Sequence, residues 1–163
     1  MAESARARLR RKLLRIGGRE VDFIKDPYLQ AIANTGVLFS HGRVTTKRGL
    51  PHECHRNAAI FWLKGLCAAI AVGYYLGPDD VWRQHSWGAI GNCTILDTHA
   101  AGQIYFGIRL DSMAAVKFAE DHAGIVEVLR CMKASPERFR PTIEEARRSL
   151  AGQHAGLGER EQP

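Results

Sequence analysis

A cysteine, a histidine and an aspartate, Cys54, His85 and Asp97, stand in an order and in surroundings that suit nucleophilic catalysis. Cys54 lies in Pro51-His52-Glu53-Cys54-His55-Arg56-Asn57-Ala58, at the opening of a dense apolar run. Such density on several faces predicts a buried helix. A cysteine in the first turn feels the partial positive charge of the helix terminus, which favours thiolate over thiol. A nucleophilic thiolate needs a base within hydrogen-bond reach, and the base needs a third group to fix its ring. His85 stands in Trp82-Arg83-Gln84-His85-Ser86-Trp87-Gly88, and Asp97 in Ile95-Leu96-Asp97-Thr98. Both segments read as strands joined at Gly91-Asn92. A two-residue turn there pairs 90 with 93, and so sets 85 against 98 and 86 against 97. A bulge or a shift of register brings His85 and Asp97 onto one face. Spacing alone leaves that open.

The elements that must position these residues follow from periodicity and punctuation. Residues 3–16 read as a helix with Leu9, Leu13, Leu14 and Ile16 as apolar positions, stopped by Gly17-Gly18. A further helix is predicted to begin near Asp26-Pro27, then a short apolar run, Val37-Leu38-Phe39, leads into a polar loop over 40–49. The Cys54 helix is expected over 51–71. Strands follow at 71–76, 81–90, 93–97 and 104–108, with turns at Gly77-Pro78-Asp79-Asp80 and Gly91-Asn92. The centre is thus one helix followed by an antiparallel meander. Residues 111–134 are helical, with Gly124 as a point of division, and Ser135-Pro136 ends them. Thr142-Ile143-Glu144-Glu145 is a capping-box pattern for a short last helix. The organisation expected is a basic helix over 1–18, a single domain over 19–151 and a flexible polar tail over 152–163.

In its order of motifs, the chain resembles the transglutaminase-like branch of the papain-like cysteine peptidase superfamily. The residues that carry the likeness are Cys54 with Ala58 four positions on, Gly73-Tyr74-Tyr75-Leu76-Gly77, His85-Ser86-Trp87 and Leu96-Asp97-Thr98. They span about residues 50–108. The resemblance implies an α+β fold with a papain/transglutaminase-like core: a buried helix carrying the cysteine, packed on a small antiparallel sheet between N- and C-terminal helices. It also implies acyl transfer of the peptidase, amidase or deamidase type through a Cys54-His85-Asp97 triad, on a peptide, protein or small amide, without a cofactor. Many papain-like enzymes carry an oxyanion-binding glutamine several residues before the cysteine. Here that stretch is Thr46-Lys47-Arg48-Gly49-Leu50, and His52 is a candidate replacement. Glu53 and His55 flank the cysteine where the commonest transglutaminase form is apolar or small. Asn57 holds the loop before the helix or faces solvent. Trp87 and Tyr105 shield the site, line a substrate groove, or pack the sheet. His55 and Arg56 are expected to be exposed.

Composition narrows the alternatives. Of 163 residues, 45% are hydrophobic and 25% charged, which excludes wholesale disorder. The most apolar stretch, Leu66 to Leu76, falls well short of the ~18 residues a membrane span requires. No apolar leader region follows Met1, and the cysteines Cys54, Cys67, Cys93 and Cys131 form no C-x-x-C pair. A reducing, cytoplasmic setting is therefore expected. His52, Cys54 and His55 crowd too closely for a tetrahedral metal site, even with His85, Asp97 and His99 as further ligands. The net charge of +6 is concentrated at one end: residues 1–20 hold seven Arg or Lys against two Glu. A second reading is thus a non-catalytic binding module on the same scaffold, contacting nucleic acid or an acidic partner through residues 3–19.

Overall fold

The computed structural model describes residues 3–39, 44–91, 94–98 and 104–155. Along the chain run α1 (Ala5–Ile16), β1 (Glu20–Asp22), α2 (Leu29–Thr35), β2 (Val37–Leu38), β3 (Val44–Thr46), α3 (Cys54–Leu63) and β4 (Ala69–Leu76). Then follow β5 (Val81–Ile90), β6 (Thr94–Asp97), β7 (Ile104–Arg109), α4 (Ser112–Ala123), α5 (Ile125–Ala134) and α6 (Pro136–Ala155). The strands form one sheet in the order β2-β7-β4-β5-β6-β3, with β1 alongside β5. The fold is α+β. Its sheet is not the small antiparallel one expected: it has seven strands, and β1 with β5 and β3 with β6 pair in parallel. The added strands are only two or three residues long. That is too short for an alternating pattern to show in the sequence.

Alternation along β4 sorts the core. Ile70, Val72, Tyr74 and Leu76 point to the helical face, while Ala71 and Tyr75 point to the other. On the helical face α3 sets Ala58, Phe61 and Trp62 against Ile70, Val72 and Leu96, and α4 to α6 add Phe118, Val128 and Phe139. The other end of that face is covered by α1 and α2, whose Leu9, Leu13 and Ile32 pack with Tyr74, Trp82 and Phe106. Leu9 and Leu13 are both 0% exposed. The basic helix is therefore built into the domain. Some of its cations serve inward contacts: Arg8 donates to Asn34 Oδ1 at 2.9 Å, and Lys12 to the Ala33 carbonyl at 2.7 Å.

Three boundaries differ from expectation. The cysteine helix ends at Leu63, because Gly65 at φ +71° closes a Schellman motif. In that motif Gly65 N–H reaches the Trp62 carbonyl and Leu66 N–H the Phe61 carbonyl, both at 2.9 Å. The last helix begins at Pro136, not Thr142; a proline suits the first helical position, where its missing N–H is no loss. The 40–49 loop contains β3, while residues 40–43 lie outside the described residues, as do 156–163 of the polar tail. No helix among the described residues is long and apolar enough to cross a membrane.

Candidate active site

The first requirement is the register between β5 and β6. Ile90 pairs with Thr94, Ala89 with Ile95 and Gly88 with Leu96. The connection is therefore three residues, 91–93, and the pairing slips by one from that of a two-residue turn. Continued to the strand end, this register sets Asp97 across from Trp87, on the face that also carries His85. Asn92, Cys93 and His99 lie outside the described residues.

On that face His85 is 4% exposed, and its Nε2 lies 2.8 Å from Oδ2 and 3.0 Å from Oδ1 of Asp97. The carboxylate takes two further donors. Tyr105, on β7, gives its hydroxyl to Oδ2 at 2.8 Å, and Thr98 gives its N–H to Oδ1 at 2.6 Å. Burial alone would raise the Asp97 carboxyl. The His85 hydrogen bond and charge, with the Tyr105 and Thr98 donors, outweigh it and hold Asp97 ionised below the ordinary range. Tyr75 and Trp87 flank the imidazole, with ring centroids 4.9 and 6.2 Å away.

Cys54 is the first residue of α3 and is half-buried. Glu53 precedes it without a side-chain capping bond, so the first-turn N–H groups are left uncapped by a side chain. His55 and His85 both act on the sulfur. With Nε2 of His85 engaged by Asp97, its Nδ1 is the atom that serves the sulfur. Burial raises the thiol, but the two histidines outweigh it and bring Cys54 down to about 5. For His85, burial lowers the imidazolium, while Asp97 and Cys54 outweigh that and lift it to about 9. Between these values the pair is thiolate and imidazolium. Cys67, buried without such partners, is pushed up to about 11.

His55 departs from the exposed position expected of it. It is half-buried, its Nδ1 lies 2.7 Å from Oγ of Ser86, and its ring is 4.9 Å from that of His122. Ser86 and His85 are neighbours on β5 and so point to opposite faces. A helix start that reaches both with consecutive residues must sit at the edge of β5, in the stretch between its pairing with β1 at 81–83 and with β6 at 88–90. The adjacency of Cys54-His55 and of His85-Ser86 was the available signal, and it needed the strand edge to be recognised.

The remaining candidates are placed as follows. Asn57 is buried and clamps the preceding loop, accepting from Leu50 N–H at 2.9 Å and donating to the Leu50 carbonyl at 2.8 Å. His52 is exposed in the turn before α3, at φ +59°. Trp87 and Tyr105 are each 1% exposed and pack beside the buried His85–Asp97 pair, and Tyr105 reaches the site through Asp97. Arg56 is exposed. Among the described residues no three His, Cys, Asp or Glu gather to hold a metal ion. A cavity of about 250 Å³ adjoins the site, with Tyr28, His55, Gln84, His85 and His122 in its lining. No family model, curated protein or solved structure matches the chain, so the site has only its own chemistry to speak for it.

Proposed function

We propose that this protein is a cysteine-dependent acyl-transfer enzyme of the peptidase, amidase or deamidase type, built on a papain/transglutaminase-like core. The observation that carries the reading is one buried imidazole, His85, held at 2.8 Å by a doubly supported carboxylate and standing beside a helix-start thiol whose pKa it lowers. Cys54 as thiolate attacks an amide carbonyl carbon, forming a C–S bond while the carbonyl π electrons move to oxygen. The backbone N–H of Cys54, in the first turn of α3, is the donor assigned to the developing oxyanion. The imidazolium of His85 gives its proton to the departing nitrogen as the C–N bond breaks, leaving a thioester. Water then gives a proton to His85 as its oxygen attacks the thioester, and the collapse returns thiolate, imidazolium and a carboxylic acid product. Asp97 fixes the ring and stabilises the imidazolium throughout.

The test is mass spectrometry on a peptide panel incubated with the parent and with Cys54→Ala. The reading predicts amide cleavage, or loss of ammonia from a side-chain amide, together with an acyl adduct on Cys54, all absent in the variant. An unprocessed panel with no adduct on Cys54 in folded parent protein contradicts it.

A further inference from the structure

A second concavity, of about 500 Å³, runs along the flank of α3. Its base is aliphatic and aromatic, formed by Leu50, Ile60, Phe61 and Leu66, with Leu50 48% and Leu66 38% exposed. Its rim is cationic: Lys47, Arg48, Arg56 and Lys64. The acid in its lining is Glu127, whose carboxylate is already paired with Arg130 at 2.5 Å. Arg56 pairs only loosely, with Glu53 at 3.4 Å, and Lys47, Arg48 and Lys64 form no ion pair among the described residues. The groove therefore presents uncompensated positive charge around exposed apolar surface.

The groove is walled by elements that also hold the triad. Lys47 N–H donates to the Asp97 carbonyl at 2.8 Å, which extends the β3–β6 pairing to the strand end. Gly49 is pressed between strand end and helix: a Cβ there would stand 2.5 Å from Thr98 Cγ2 and 2.6 Å from Asn57 Cγ. One wall is thus fixed to Asp97, and the base is the helix that opens with Cys54.

We propose that the groove binds an extended acidic peptide segment with interspersed aliphatic side chains, and that this segment flanks the amide offered to Cys54. The second half rests on the acyl-transfer reading; the binding does not. Carboxylates meet the rim, and aliphatic side chains cover Leu50 and Leu66. Nucleic acid fits less well, because the groove's one aromatic ring, Phe61, is itself buried and offers no platform for stacked bases.

The experiment is fluorescence anisotropy on full-length Cys54→Ala with a labelled peptide of alternating Glu and Leu, the same peptide with Gln for Glu, and one with Lys for Glu. The Glu peptide is expected to bind at least about tenfold tighter than the Gln peptide, and to be weakened by salt. In Lys47→Glu/Arg48→Glu/Lys64→Glu that preference inverts toward the Lys peptide, a gain that an unfolded variant cannot produce. In Arg10→Glu/Arg15→Glu it persists. Equal binding of the Glu and Gln peptides overturns the proposal. So does loss of binding in the α1 variant alone, or an oligonucleotide that displaces the Glu peptide as strongly as unlabelled peptide does. Selective binding without any acyl adduct on Cys54 of the parent leaves the docking groove standing and removes the catalytic reading. An adduct without selective binding does the reverse.

Discussion

His85 presents Nε2 to Asp97, at 2.8 Å, and so keeps Nδ1 for Cys54. This orientation makes the ring the single link between nucleophile and carboxylate, and the charge on Asp97 is what holds its second proton. Asp97→Asn keeps the shape and removes the charge. His85 then falls from about 9 toward its ordinary value, and Cys54 rises from about 5. The window in which thiolate and imidazolium coexist narrows from both ends. The expected loss of acyl transfer is about 10²- to 10⁴-fold, read as kcat/KM against pH.

Tyr105 acts through Asp97. Tyr105→Phe leaves the ring in its buried place and deletes one hydrogen bond to a charged oxygen. Stability should fall by about 1.5–3 kcal/mol. The reading that separates positioning from packing is the Asp97 carboxyl titration followed by NMR. It should move up in Tyr105→Phe, because one of the donors that holds it low is gone, while the fold signature is unchanged; an unmoved titration contradicts the role.

His55 and His85 both support the thiolate, but only His85 is backed by a carboxylate. His55→Ala should raise Cys54 above about 5 and slow its reaction below neutral pH, yet leave measurable turnover. His85→Ala should abolish turnover. Ser86→Ala, which frees Nδ1 of His55, should reproduce the milder effect. The comparison is made by steady-state rates in the three variants.

The N-terminal helix is a structural element, so its removal should not be neutral. Leu13→Ala leaves a cavity among Ile32, Tyr74 and Trp82, at about 2–5 kcal/mol. Deletion of residues 1–18 exposes that whole surface. Urea denaturation should show a lowered midpoint in the first and loss of the cooperative transition in the second.

The helix start at Cys54, the strand pair carrying His85 and Asp97, and the division at Gly124 were legible in the sequence, because capping, alternation and turn residues are local signals. What escaped has a physical reason. The connection between β5 and β6 holds one residue more than Gly91-Asn92 suggests, and that extra residue decides which face Asp97 occupies. From Leu66 into β4 the sequence is apolar throughout, so periodicity did not mark where helix gives way to strand; Gly65 does so by its backbone conformation. The roles of Tyr105 and Ser86 depend on neighbours across the sheet and helix, and no local spacing encodes them. Leu9 and Leu13 were legible as apolar positions beneath the arginines near Met1, but not that they dock against Tyr74, Trp82 and Phe106.

The central claim is that Cys54 and His85 form a thiolate–imidazolium pair. The most direct measurement is the iodoacetamide alkylation rate of each cysteine across pH, read by mass spectrometry in the parent and in His85→Ala. A thiol held low is reactive above its own value and loses reactivity as pH falls through it. Cys54 should therefore keep its rate down to about pH 5, while Cys67 stays inert until far higher pH. In His85→Ala the Cys54 profile should move to higher pH. A Cys54 that reacts only as an ordinary thiol of pKa about 8.5 does, or a profile unchanged by His85→Ala, contradicts the account.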